Sequence, residues 1–255
     1  MNEFGPLSRI RVVLAQPSHP GNMGAAARAM KTMGLRRLYL VRPRRVPDEQ
    51  ARAMSANAVD VLERAVICAT LDEALAGTAL QIAFSARPRE LSHPALDARK
   101  AAAEAVACAC SQEVALVFGN ELAGLANEEV MRCSRLAFIP ADPASSSLNL
   151  GAAVQVVAYE VRLAASAGSG AQPVPETELA RHEDVENFYA HLERSLYASG
   201  FLHPQYPRRL MERLRRLFGR TRLEKDEINI LRGMLTQWDS QKPPGPTDGK
   251  RENNS

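Results

Sequence analysis

Two stretches set polar side chains among small residues at the head of an apolar helical pattern, and chemistry is sought there first. In SSSLNLGAAVQVVAYEVR, residues 145–162, Ser146, Ser147 and Asn149 precede Leu150, Val154, Val157, Ala158 and Val161 at helical spacing. A helix starting at Ser146 or Ser147 would leave backbone N–H groups beside hydroxyls and an amide. That end suits a polar ligand or, more simply on these residues alone, an ordinary N-cap. In SHPGNMGAAARAMKTMG, residues 18–34, Asn22 stands in a tight loop bracketed by Pro20-Gly21 and Gly24. Arg28 lies one turn into a helix of Ala and Met, Ala25 to Met33, which Gly34 ends. A guanidinium there offers planar, multidentate donors for phosphate or ribose, with a structural salt bridge as the alternative. His19 reads as a solvated loop residue. In FGNELAGL, Gly119 and Gly124 permit a tight loop and Glu121 puts a carboxylate beside it.

Short apolar strands must position these groups. Arg9 to Ala15, Leu38 to Val41, Leu80 to Phe84, Val114 to Phe118 and Leu136 to Ile139 read as buried strands. Helical stretches alternate with them, at Leu71 to Ala76 and Asp97 to Cys110, so a mainly parallel α/β sheet is expected. Three strand ends, at Ser85, Gly119 and Ile139, feed small-residue loops, and in parallel sheets ligands collect at the strands' carboxyl ends. The glycine spacing in GNMG fits neither a GxGxxG dinucleotide fingerprint nor a Walker loop, which excludes both classes.

A formal charge of +3 over 255 residues makes nucleic-acid affinity a matter of local clustering. One cluster is Arg36, Arg37, Arg42, Arg44 and Arg45, five arginines in ten residues with no acid among them, a patch suited to a polyanion. Cys68, Cys108, Cys110 and Cys133 lie in apolar segments with no CxxC pair or histidine at ligand spacing. They read as reduced core residues of a cytoplasmic protein, and no metal site is expected. No signal peptide and no apolar run of bilayer length is recognised, so no membrane association is expected.

Ala164 to Pro175 is rich in Gly, Ser and Pro and reads as an interdomain linker. Three amphipathic helices follow, Glu178 to Ala198, Pro207 to Gly219 and Glu224 to Trp238, the last with Thr221 as a candidate N-cap. On the second, Arg209, Arg213, Arg216 and Arg220 recur every three or four residues, opposite Leu210, Leu214, Leu217 and Phe218. Such a stripe is either a solvated face or a surface for phosphates. Domains are therefore expected at 1–165 and 177–239, with a linker over 166–176 and a disordered tail over 240–255.

The ordered set GNMGAAARAMKTMG, FSAR, FGNELAGL and SSSLNLGAAVQVVAYE resembles the three motifs of the SpoU branch of the SPOUT methyltransferases, and the similarity extends over nearly the whole chain. It is most similar to the branch members that methylate the pyrimidine ribose at anticodon-loop position 32 of tRNA. The resemblance implies a SPOUT-type α/β fold with a C-terminal trefoil knot, followed by a small helical domain, and a homodimer. It implies S-adenosylmethionine held by Phe84, Ser85, Ala86, Gly119, Ile139 and residues Ser146, Ser147, Leu148, Asn149, Leu150 and Gly151. By the same resemblance Asn22 and Arg28 form a catalytic pair, with Glu121, Ser147 and Asn149 as further catalytic groups. Arg209, Arg213, Arg216 and Arg220 would hold tRNA. Asn120 stands where these members often carry Arg, though related SpoU-type proteins have Asn there. Other readings are a SpoU-type enzyme for another tRNA position or for ribosomal RNA, and a catalytically silent RNA-binding protein.

Overall fold

A computed structural model describes residues 5–86, 95–167, 178–203 and 209–240. Seven strands, β1 (Ile10–Ala15), β2 (Arg37–Val41), β3 (Val66–Cys68), β4 (Thr78–Phe84), β5 (Ala95–Asp97), β6 (Glu113–Phe118) and β7 (Arg135–Phe138), form one sheet in the order β3-β2-β1-β6-β4-β7-β5. All its neighbouring strands run parallel. Alternation sorts their side chains onto two faces. Ile10, Val12 and Leu14 join the larger core, while Val13 and Ala15 join the smaller. Helices α1 (Pro20–Thr32), α2 (Glu49–Ser55), α3 (Val59–Glu63), α5 (Ala98–Ala109) and α7 (Leu150–Ala167) cover the first face, and α4 (Leu71–Leu75) and α6 (Asn127–Met131) the second.

Helix starts depart from expectation for local reasons. α1 begins at Pro20 rather than Ala25, so PGNMG is its first turn and not a tight loop. Pro suits that position because its missing N–H would have no partner there. Gly24 is thus helical, and it is glycine because α2 crosses it: a Cβ would lie 2.1 Å from the Ala51 carbonyl oxygen. α7 begins at Leu150, not Ser146 or Ser147. Asn149 caps it, its Oδ1 accepting from the N–H of Gly151 at 2.9 Å and Ala152 at 3.4 Å. Its far end runs to Ala167, so Ala164 to Ala167 are helical rather than linker. Residues 168–177 and the tail beyond Ser240 lie outside the described residues. Cys110 is exposed at the end of α5, in contrast to the other three cysteines, so one of the four is not a core residue.

Three further helices, α8 (His182–Ala198), α9 (Leu210–Gly219) and α10 (Lys225–Ser240), enclose a separate core around Phe188, Tyr189, Leu192, Ile228 and Leu235. α8 starts four residues later than its periodicity suggests, because the chain before it is extended. The Ala180 N–H donates to the Leu223 carbonyl at 2.9 Å, and the Lys225 N–H to the Glu178 carbonyl at 3.0 Å. Thr221 does not cap α10; its hydroxyl donates back to the Phe218 carbonyl, and Glu227 accepts from the Glu224 N–H instead.

This helical unit docks on the amino-terminal ends of β4, β6 and β7. Glu183 accepts from the Gly77 N–H, the Gln112 amide bonds both polar backbone groups of Leu179, and Arg135 donates to the Gly219 carbonyl. Charges close the seam: Arg132 and Arg215 share Glu186, and Asp72 meets both Arg132 and His182. Arg215 also lies 4.3 Å from the centre of the Tyr189 ring.

Candidate active site

The opposite, carboxyl-terminal ends of the strands are left open. β4 and β6 finish in register at Phe84 and Phe118, whose rings stack 4.9 Å apart. Beyond them a cleft of about 140 Å³ opens, lined by Ser85, Ala86, Gly119 to Leu122, Ile139, Ser146 to Leu148, Leu150 and Ala153. Thus Phe84, Ser85, Ala86, Gly119, Glu121, Ile139, Ser146, Ser147, Leu148 and Leu150 come together at one wall-and-loop system. Asn149 and Gly151 stand just behind it. Gly151 packs so closely on α1 that a Cβ would lie 2.7 Å from that of Ala25. Among the described residues, the Ser146 and Ser147 hydroxyls make no hydrogen bond within the chain, which leaves them to a ligand.

Gly119 has a backbone reason of its own. A Cβ there would lie 2.1 Å from the carbonyl carbon of Gly124, so the loop that carries Glu121 crosses itself at this point. Asn120 fastens the crossing: its amide donates to the Gln16 carbonyl at 2.7 Å and accepts from the Leu122 and Ala123 N–H groups. The Asn120 side chain is therefore spent on the loop.

A chain of hydrogen bonds joins the three motifs. Glu121 accepts from the Ser18 hydroxyl at 2.7 Å, from the Ser18 and His19 N–H groups at 2.9 and 3.1 Å, and from the Asn22 amide at 3.0 Å. Asn22 in turn accepts from the Asn149 amide at 2.9 Å. Burial alone would raise the Glu121 pKa; the bonds from Ser18 and Asn22 outweigh it and hold the carboxyl at about 2. A carboxylate at the start of α1 also complements the positive end of the helix. Ser18 was not singled out from sequence, where nothing in a lone serine before His-Pro distinguishes an anchor from a loop residue.

Arg28 stands apart. It is exposed on α1, does not line the cleft, and among the described residues its guanidinium has no ion pair. The structural salt bridge held open as an alternative is not made among the described residues. The C-terminal arginines are elsewhere again. Arg209 precedes α9 in left-handed backbone and pairs with Glu212 at 2.8 Å, whereas Arg213 and Arg220 are exposed on the helix and Arg216 is half-buried. Leu217, expected on the apolar side, is 46% exposed.

The comparisons fall on this frame. A family model described as "SpoU rRNA Methylase family" matches residues 9–159, and a second, "tRNA methyltransferase TrmJ, C-terminal domain", matches residues 183–247. The chain is 52% identical to the tRNA (cytidine/uridine-2′-O-)-methyltransferase TrmJ of Klebsiella pneumoniae, over 92% of this chain and 98% of that one. It is 50% identical to the tRNA (cytidine/uridine/adenosine-2′-O-)-methyltransferase TrmJ of Pseudomonas aeruginosa, over 91% and 94%. The crystal structure of TrmJ from Z. mobilis superposes with a TM-score of 0.78 at 32% identity, covering 89% of this chain and 97% of that chain.

Proposed function

We propose, for a chain that belongs to the SpoU methylase family and carries the C-terminal domain of the TrmJ methyltransferases, that it is a tRNA 2′-O-methyltransferase using S-adenosylmethionine. The finer reading places the methyl group on the pyrimidine ribose at position 32 of the anticodon loop. The observation that carries the methyltransferase reading is the Ser18–Glu121–Asn22–Asn149 chain, which draws all three motifs to the rim of one cleft. The cleft's chemistry fits the cofactor. Leu122, Ile139, Leu148 and Leu150 offer apolar surface for a purine, and the Ser146 and Ser147 hydroxyls stand beside it for polar substituents.

S-adenosylmethionine, when bound, supplies a methyl group already activated on sulfonium. What remains for the chain is alignment of a ribose 2′-oxygen with that carbon, and help in losing the hydroxyl proton. Arg28 is assigned to the ribose and its phosphate. A guanidinium keeps its proton, so its role is to stabilise developing alkoxide charge rather than to act as base. Glu121 is held as an anion by donors from Ser18, His19 and Asn22, so its part is to fix Asn22, with Asn149 completing the bridge to α7.

The reading includes a homodimer, a trefoil knot within residues 1–165, a tRNA-binding role for residues 177–239, and a cytoplasmic location. Support for the dimer comes from Arg28, which stands outside its own cleft, and from Tyr159 and Leu163, 49% and 41% exposed on α7. Among the described residues no helix is long and apolar enough to cross a membrane. The test is to map 2′-O-methyl groups on tRNA with and without the gene, and on unmodified tRNA given purified protein and cofactor. Unchanged methylation at position 32 in both would reject the finer reading, and no ribose methylation anywhere would reject the function.

A further inference from the structure

The five-arginine cluster divides in two. Arg36 reaches Asp60 at 3.7 Å and Arg37 is bidentate to Glu113 at 2.7 and 3.1 Å, so each has an acidic partner at the amino-terminal side of the sheet. Arg42, Arg44 and Arg45 follow β2 at its carboxyl end, the same end as the cleft. All three are exposed, and among the described residues none has an ion pair or a side-chain hydrogen bond. The next acid along the chain, Asp48, is occupied at the start of α2, accepting from the N–H groups of Gln50 and Ala51 at 3.0 and 3.2 Å.

The loop's backbone is pinned. Arg42 adopts left-handed backbone (φ 43°), a conformation that a side chain disfavours, and it is held there by bonds on either side. Its N–H donates to the Cys68 carbonyl at 3.0 Å, and the Arg44 N–H to the Pro17 carbonyl at 3.0 Å. Pro17 is followed directly by Ser18, the residue that binds Glu121 at the cleft. One hydrogen bond and one peptide unit therefore separate the arginine loop from the network that orients Asn22. Pro43 and Pro47 stiffen the loop further.

We propose that Arg42, Arg44 and Arg45 form a second phosphate-binding surface, which grips the RNA backbone beside the nucleotide presented to the cleft. The inference rests on the tRNA reading above and adds to it a contact that the α9 arginines cannot make in the same chain. The helical unit docks at the amino-terminal strand ends, a strand length of roughly 20 Å from the cleft. Guanidinium groups without protein partners lose little on meeting phosphates, since no ion pair must first be broken.

The test is the triple variant Arg42→Ala, Arg44→Ala, Arg45→Ala, with tRNA binding measured against salt and cofactor binding measured by calorimetry. Three lost phosphate contacts should weaken tRNA about tenfold or more at low salt and flatten the slope of log K against log salt by about 2 to 3. Cofactor affinity should not move. The corresponding Lys triple should restore most of the slope, which a merely structural role for the loop would not predict. The loss should persist with an isolated anticodon stem–loop; a loss seen only with whole tRNA would overturn the placement beside the cleft. Unchanged affinity and slope in the Ala triple would overturn the contact. A wild-type protein that binds tRNA without methylating it would sink the functional reading, while the slopes would still decide the loop.

Discussion

The two ends of the parallel strands are both polar, but they spend their charge in opposite ways. At the amino ends, each acid is shared by two cations. Glu113 takes Arg37 and the buried Arg11, Glu104 takes Arg135 and Arg222, and Glu186 takes Arg132 and Arg215. At the carboxyl ends the acid Glu121 is satisfied by a hydroxyl, an amide and backbone N–H groups, and Arg42, Arg44 and Arg45 have no acid partners. One end is closed over a docked helical unit. The other holds positive charge available to an anionic ligand. Pairing therefore separates the two roles better than charge does, since arginines are abundant at both.

The sharpest way to break this contrast is Arg28→Ala. If the unpaired guanidinium on α1 works on the reacting ribose, kcat should fall about 10²–10³-fold with cofactor affinity unchanged. A loss of cofactor binding instead would make Arg28 part of the cleft's structure. Mixed dimers add the geometry. Arg28→Ala chains combined with chains whose cleft is filled by Ala86→Trp should regain activity if each site draws on both protomers. Ala86 lines the cleft and is exposed, whereas Gly119 is unsuitable for blocking because any side chain there collides with the Gly124 backbone.

At the closed end, Glu186→Ala should strip Arg132 and Arg215 of their shared partner. A half-buried pair broken on one side costs about 2–3 kcal/mol, read as a lower midpoint for unfolding of the helical unit. Cofactor affinity should be untouched, and a parallel loss of it would mean that the two ends are coupled. Asn22→Ala, back at the open end, removes the bonds to Glu121 and from Asn149 and should cost about 1–2 kcal/mol. Its mark should be on kcat as well, because the amide that joins Glu121 to Asn149 is then lost.

How far these residues could be read without coordinates follows the same division. Five of the seven strands, their parallel class and the loops after Phe84, Phe118 and Ile139 were legible, because a buried parallel strand is a continuous apolar run that stops at small residues, whereas β3 and β5 are three-residue edge strands, little buried, and give no such run. Where α1 begins was not, since Gly24 looks like a loop glycine until the crossing of α2 is known. Long-range partners were invisible for the same reason. Neither the Ser18–Glu121 bond nor Arg215–Glu186 has any local signature, and Arg36 and Arg42 look alike until one is found beside Asp60. Motif order, through resemblance, supplied the grouping of Asn22, Glu121 and Asn149 that spacing alone left open.

A further effect concerns pH, and it asks whether Glu121 holds the start of α1 as an anion. Its ordinary value is 4.5; burial would raise that, but donors from Ser18 and Asn22 bring it to about 2 in the folded chain. A carboxyl with a depressed folded value contributes stability above its ordinary value and loses it as pH falls toward the folded one. Wild type should therefore exceed Glu121→Gln in urea midpoint by a constant margin from pH 7 to about 5. The margin should narrow from about pH 4.5 and approach zero near pH 2, because the glutamine is neutral throughout. A margin that stays flat down to pH 3 would mean that the difference comes from shape rather than charge. The network at the open end would then be an ordinary neutral hydrogen-bond chain, and its contrast with the ion-paired end would rest on Arg28 and the arginine loop alone.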